Sequence, residues 1–470
     1  MKTLGVLLLT AMLVMTGTAG AKTGAEEGQR GTATREALVR EVDAFFKDQQ
    51  PGGVVLVTRG DEILLRQAYG LADIENGVAM RPEAAMRLAS VSKQFTAVAM
   101  LQLVQAGKLS LGTTLGALDP ALEGPMAKVT VQQLLTHTSG IRNISGIPAS
   151  RAARREETDT VGLIGYFKDL PLEFAPGTRF RYSNSNYIVL THLIQRVSGQ
   201  SYADYMQQAI FRPLGMRHTR YDDHLAVIAG RAHGYRRVQG ELQNADFISM
   251  SQPQGAGGLI STVDDLAIWH RALRDGTFLP GPLLAQAMAK TVLADGTASP
   301  YGFGWIVGQA NGVHDVEHGG FINGFNSYVV RLKAPDVFVT VLTNAEFLDP
   351  TTLAVRLAAI AAGNAYAPSV AAGERDKAWL GRYRLGKDDV RVLSWADGKL
   401  QLLREGEDPV VVSPDGEGRY YLDAGLDYLS FATADDGQAV MMLHDRLMGE
   451  TVGRREPAAA GAPATGSAVP

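Results

Sequence analysis

The sequence predicts a mixed α+β fold (α/β in the broad sense). One antiparallel sheet is assembled from both ends of the first 365 residues around a helical insertion, and a small all-β meander follows. Three observations predict it. Strand patterns stand early, at Val54–Val57 and Ile63–Leu65, and return only after residue 300. Between Ser90 and about Lys290 the apolar spacing is mainly helical. Beyond residue 374, short alternating runs follow one another, divided by turns such as Asp415-Gly416 and Asp436-Gly437.

In chain order, Lys2 and the apolar run Leu4–Met15 precede the small-x-small triplet Ala19-Gly20-Ala21, the pattern of a secretory signal over residues 1–21. The mature chain is then expected to begin at Lys22 and to be periplasmic or secreted. No other stretch approaches the ~18 apolar residues of a spanning helix, so no stable membrane span is expected after cleavage. Residues 22–33 are small and polar and read as a flexible leader. Thr34–Gln49 carries Leu38, Val42, Phe45 and Phe46 on one helical face. Arg59-Gly60-Asp61 turns the first hairpin. The late strands fall at Tyr301–Val307, Val313–His318, Phe325–Leu332 and Val337–Leu342, with a helix at Thr352–Ala362. These elements delimit a unit at 34–365. A linker at 366–374 leads to the meander at 375–456, and the Ala/Gly/Pro-rich tail, 457–470, is predicted to be disordered.

Composition excludes several classes. With 45 Lys and Arg against 49 Asp and Glu, and no run of like charge, nothing calls for nucleic acid or an anionic membrane surface. The absence of cysteine removes disulfides, thiol catalysis and cysteine-ligated metals. No cofactor and no metal are implied, and no pattern specifies an oligomer.

The chemistry centres on Ser90-Val91-Ser92-Lys93, at the start of an apolar helix running to about Gly107. Residues three apart share a helical face, which sets Lys93 beside the Ser90 hydroxyl. A capping serine favours Glu or Gln three residues on, and the first turn favours negative charge; Lys93 has the wrong sign for both. Such a lysine is expected to have a lowered pKa and to serve as a base, with Ser90 as nucleophile. Ser-x-x-Lys alone arises by chance about once in a chain this long. Two further patterns join it. Tyr182-Ser183-Asn184 follows the turn Ala175-Pro176-Gly177; Tyr182 is expected to ionise more easily beside a lysine and to relay the serine's proton, while Asn184 offers an amide to substrate or lysine. His318-Gly319-Gly320 leads into a strand, where adjacent glycines let a substrate backbone approach.

These three patterns, each present once and in this order, resemble the serine β-lactamase and penicillin-binding-protein superfamily. The class C-like branch, with D-aminopeptidases, DD-carboxypeptidases and family VIII-type esterases, is the most similar. Leu134–Gly140, Gly255–Thr262 followed by Asp265-Leu266, and Tyr301-Gly302-Phe303-Gly304-Trp305 add to the resemblance, which spans about 35–365. It implies a β-lactamase/transpeptidase-like fold and an acyl-enzyme on Ser90, with Lys93 and Tyr182 as general bases. It also implies an oxyanion hole of the Ser90 and Phe321 N–H groups, and a lipocalin-like C-terminal domain. His318 stands where many relatives carry a lysine, and histidine is mostly neutral near pH 7. That departure shifts the expected substrate from a β-lactam toward a small ester or D-amino peptide. A β-lactamase, a slow-turnover penicillin sensor and a non-catalytic peptidoglycan binder remain open readings. The loops near 140–170 and 210–255 are expected to shape the pocket, and their arginines (Arg142, Arg151, Arg154, Arg155, Arg217, Arg220) suit anionic groups.

His314-Asp315-Val316-Glu317-His318 spells a zinc-protease signature, but that chemistry needs a helix where strands are predicted. His137, in a turn after Leu134-Leu135, is read as structural, and Asp264-Asp265 as capping the helix through Trp269.

Overall fold

The computed structural model describes residues 19–457, apart from 388 and 424. Residues 1–18 of the predicted signal pattern (1–21) and the tail from 458 lie outside the described residues, while 19–21 belong to the first helix. Helix α1 (Ala19–Phe46) begins earlier than the sequence predicts, so residues 22–33, read as a flexible leader, are helical. Its apolar face is the predicted one: Leu38, Val42 and Phe46 are buried and Phe45 is half-buried.

The hairpin β1 (Gly53–Arg59) and β2 (Glu62–Tyr69) forms at the predicted turn. The insertion supplies three long helices, α2 (Ser92–Gln105), α3 (Asn184–Ser198) and α4 (Val263–Arg274). After it come β3 (Ile306–Ala310), β4 (Val313–Ile322), β5 (Phe325–Leu332), β6 (Val337–Thr343) and α5 (Thr351–Ala361). The six strands make one antiparallel sheet in the order β3-β4-β5-β6-β1-β2. The two ends of the unit meet where β1 pairs with β6, Val55 opposite Val341. Both faces are covered, which is why β6 is buried at every residue instead of alternating. One face packs on α1 and α5, and the other on the cluster around α2 and α3. Helix α2 is buried nearly all round, the mark of a central helix. Capping of α4 falls to Thr262, whose hydroxyl accepts from Asp265 N–H at 3.3 Å; Asp265 itself takes His218 N–H and the Thr219 hydroxyl. Asp264 pairs with Arg66.

The C-terminal region is a closed antiparallel barrel of eight strands: β7 (Gly381–Arg384), β8 (Val390–Ala396), β9 (Lys399–Arg404), β10 (Val410–Pro414), β11 (Arg419–Leu422), β12 (Tyr428–Thr433), β13 (Ala439–Asp445) and β14 (Gly449–Arg455). The closing strand, β14, falls within the predicted meander but has no alternating apolar pattern of its own; its partners β13 and β7 hold it.

The β13–β14 turn docks on the first unit. Arg446 reaches Glu317 Oε1 at 2.7 Å and Asp315 Oδ2 at 3.2 Å, while the Tyr328 hydroxyl donates to Glu317 at 2.7 Å. Asp315 and Glu317 are fully buried. One guanidinium faces two carboxylates, and burial, with Glu317 beside it, pushes the Asp315 carboxyl up.

Removing one partner from a buried ion cluster strands the other charges. Arg446→Met is therefore expected to lower stability by roughly 3–5 kcal/mol. Adding Asp315→Asn and Glu317→Gln should recover much of the loss, read by urea unfolding of all three proteins.

Candidate active site

Ser90 sits in a tight three-residue turn, Ala89–Val91, that runs into α2. The helix predicted to open at Ser90 begins two residues later. Ala89 has φ of 46°, a left-handed conformation that strains a residue with a Cβ by roughly 1–2 kcal/mol. This kink lifts Ser90 to half-exposure while its neighbours stay buried.

Lys93, in the first turn of α2, is 0% exposed. Its Nζ lies 3.0 Å from Ser90 Oγ, 2.9 Å from Asn184 Oδ1 and 2.7 Å from the Ala256 carbonyl. Burial holds this lysine well below its usual range. The faces of Tyr182 and Tyr187, 4.8 and 5.4 Å from Nζ, favour the ammonium. That attraction is worth at most about 2 kcal/mol. Full burial, with no carboxylate in contact among the described residues, acts against the charged form and is the cause of the lowered pKa. Burial wins. A neutral amine has two N–H bonds, and two of its contacts are carbonyl oxygens that only accept. Both N–H bonds go there, so the lone pair faces Ser90 and takes its proton.

The Tyr182 hydroxyl is buried near Ser90 without a well-formed hydrogen bond among the described residues. Burial raises its pKa, and the Ser90 hydroxyl only partly offsets this. The expectation that a neighbouring lysine eases its ionisation is corrected: burial outweighs any such help, so the Tyr182 hydroxyl keeps its proton and is a donor. Asn184, the first residue of α3, gives Oδ1 to Lys93 and donates from Nδ2 to Ser145 Oγ at 3.1 Å.

His137 lies under this segment. Its Nδ1 accepts from Ser183 N–H at 3.3 Å and from Asn186 Nδ2 at 3.0 Å, and its ring stands 4.3 Å from that of Tyr182. Burial holds its pKa well below the ordinary histidine range. It anchors the Tyr182-Ser183-Asn184 turn, which agrees with the structural reading.

His318, on β4, is held at both nitrogens. Nδ1 lies 2.6 Å from the Gly319 carbonyl, so it carries the proton, and Nε2 accepts from the Tyr301 hydroxyl at 2.8 Å. Burial pushes it down to about 3. His314-to-His318 is a strand, so the helical spacing of a zinc motif is not formed. Beyond Glu317, β4 has no partner on its outer side, because β3 pairs only with 313–317. Along that open edge a Cβ on Gly320 would lie 2.3 Å from the Leu88 carbonyl and 2.9 Å from Ser90 N, so only glycine admits the strand so close to the nucleophile. Phe321, 63% exposed, follows on the same edge. Beside these groups opens a cavity of about 420 Å³ lined by Ser90, Asn184, Ala256 and Phe321 among others.

A family model described as Beta-lactamase matches residues 35–363. The chain belongs to the beta-lactamase family. It is similar to the D-aminopeptidase of Brucella canis, 29% identical over 392 residues, covering 82% of this chain and 73% of that protein. It is also similar to a penicillin-binding protein of Bacillus subtilis, 27% identical over 444 residues, covering 87% and 96%. Among solved structures, a D-stereospecific amidohydrolase from Streptomyces shares the fold at a TM-score of 0.61 and 24% identity, over 70% of this chain and 98% of that one. The octameric penicillin-binding protein homologue from Pyrococcus abyssi does so at 0.63 and 22%, over 90% and 100%. This chain is a serine hydrolase of the family.

The structure of the hydrolase brings Ser90, Lys93, Tyr182, Asn184, His318, Gly319, Gly320 and Phe321 to one site. Sequence reasoning left three working groups unassigned. The Ala256 acceptor is a main-chain carbonyl, so no side chain announces it. Ser145 lies in an aperiodic loop. Tyr301 was quoted as part of a motif, and only its 2.8 Å contact with His318 gives it a task.

Lys93 binds its proton more weakly folded than unfolded. Stability is therefore expected to be lost as pH falls from the ordinary lysine value of 10.5 toward the lower folded value. Lys93→Met should abolish this slope in thermal melts taken across pH. The same variant should lose about 10²–10⁴-fold in kcat.

Proposed function

We propose that the hydrolase is exported and cleaves ester or amide bonds of D-amino acid or peptidoglycan-type peptides through an acyl-enzyme on Ser90. The observation that carries the reading is the 3.0 Å contact between Ser90 Oγ and a buried Lys93 whose two other contacts are acceptor-only carbonyls. Lys93 takes the Ser90 proton as Oγ attacks the substrate carbonyl. The N–H groups of Ser90 and Phe321 receive the developing oxyanion. Tyr182, held protonated by burial, donates to the departing amine or alkoxide and is reprotonated from Lys93. Water then attacks the ester, Lys93 takes its proton, and Ser90 leaves reprotonated.

The D-aminopeptidase and D-stereospecific amidohydrolase relatives support a D-configured acyl group. The neutral His318 supplies no fixed cation beside the leaving group, which argues against tight β-lactam binding. The signal pattern over residues 1–21 supports export.

Mass spectrometry after a fluorophosphonate probe is expected to place the adduct on Ser90, and none should form in Ser90→Ala. A label elsewhere sinks the mechanism. In a substrate panel, N-acyl-D-alanyl amides and N-acylated D-Ala-D-Ala peptides should turn over faster than their L counterparts and than a chromogenic cephalosporin.

A further inference from the structure

We propose that the cavity beside Ser90 is an anion-selecting acyl subsite, in which Arg151 and Arg154 receive a carboxylate on the acyl half of the substrate. The proposal rests on the reading that Ser90 is the acylated residue.

The cavity's position decides which half it holds. Ser90, Asn184, Ala256 and Phe321 line it, whereas Tyr182, Lys93 and His318 do not. The leaving group collects its proton from Tyr182, so it departs on the Tyr182–His318 side. The cavity lies on the other side of the reacting carbonyl and takes the acyl group.

Its charge decides what that group is. No aspartate or glutamate lines the cavity, yet two arginines do. Of the six arginines in the pocket-shaping loops, Arg142 pairs with Glu173 and Arg155 stands over the Phe247 ring, while Arg217 and Arg220 lie outside the lining. Arg151 and Arg154 have no carboxylate partner among the described residues. The nearby Glu157 is engaged instead by the Ser249 hydroxyl at 2.7 Å and by His224 at 3.4 Å. Arg151 is also held in place. Its Nε donates to the Ser145 carbonyl at 2.6 Å, and Ser145 Oγ receives Asn184, which holds Lys93. One hydrogen-bonded chain thus links the guanidinium to the base. Arg154 is fixed through its backbone, its carbonyl accepting Ser249 N–H at 3.0 Å, and its guanidinium is unpaired among the described residues. Ile144, Ile188 and Ile248 supply apolar walls, which strengthen the field of two unneutralised cations.

Both arginines are solvent-exposed at the mouth, so each one's share is modest and screened by salt. Their combined sign is still decisive between substrates. An acyl residue with a free ammonium is repelled, and one carrying a carboxylate is drawn in. That separates this hydrolase from enzymes that must seat a free amino terminus.

The test compares three p-nitrophenyl esters, N-succinyl-D-alanyl, N-acetyl-D-alanyl and D-alanyl. Their activated leaving group makes the comparison independent of whether amides are cleaved. The succinyl ester is expected to exceed the acetyl ester about tenfold in kcat/KM at low salt, mainly through KM, with the free-amine ester slowest. The succinyl-to-acetyl ratio should shrink as salt rises and approach one in an Arg151→Gln, Arg154→Gln double variant, while Arg151→Lys, Arg154→Lys retains most of it. Equal rates in the wild type, or an unchanged ratio in the glutamine variant, overturn the subsite. Acyl adducts trapped on a residue other than Ser90 overturn the underlying reading, and the subsite with it.

Discussion

The site depends on keeping a lysine out of water with no carboxylate to answer it. Lys93 is buried by α2, α3 and the Gly255–Gly258 segment, and its contacts are a hydroxyl, an amide and a main-chain carbonyl. Had any contact been a carboxylate, the amine would stay charged and Ser90 would face a donor. The other site residues follow from this. Asn184 supplies an acceptor without charge, and the same burial keeps Tyr182 protonated and His318 neutral. Gly304 serves this core too, since a Cβ there would come within 2.7 Å of the Lys93 carbonyl.

Much of this was legible in the sequence where periodicity is the signal. The strands at Phe325–Leu332 and near Val337 and the helix near Thr352 were placed within a residue or so, because their runs are long, apolar and bounded by turns. Ser90 and Lys93 were found because three-residue spacing has a fixed meaning on a helix. The direction of the Tyr182 shift was misread, since it depends on burial against rings from distant segments, His137 and Tyr301. Strand β14 was not legible as a run of its own because Gly-Glu-Thr-Val-Gly-Arg-Arg carries no alternation; barrel closure, a global constraint, recruits it. The Arg446 cluster was equally invisible, its partners lying 129 and 131 positions apart.

Around the base, the hydrolase separates two jobs that a lysine on the β4 strand would combine. The Tyr301–His318 pair fills that position with a rigid, uncharged hydrogen-bond array. The unpaired positive charge sits instead on the exposed loop across the cleft, at Arg151 and Arg154. The open edge of β4 between them accepts any extended backbone, so selectivity falls to what flanks it.

The docking of the barrel turn also bears on how the chain is held together. The matched family region ends at residue 363, yet two carboxylates buried in its sheet meet their cation only at residue 446. Without that arginine, burying Asp315 and Glu317 requires water or protons beside them. A hairpin more than a hundred residues downstream thus braces the strand next to the nucleophile. Closure of the barrel and bracing of the catalytic edge are therefore coupled.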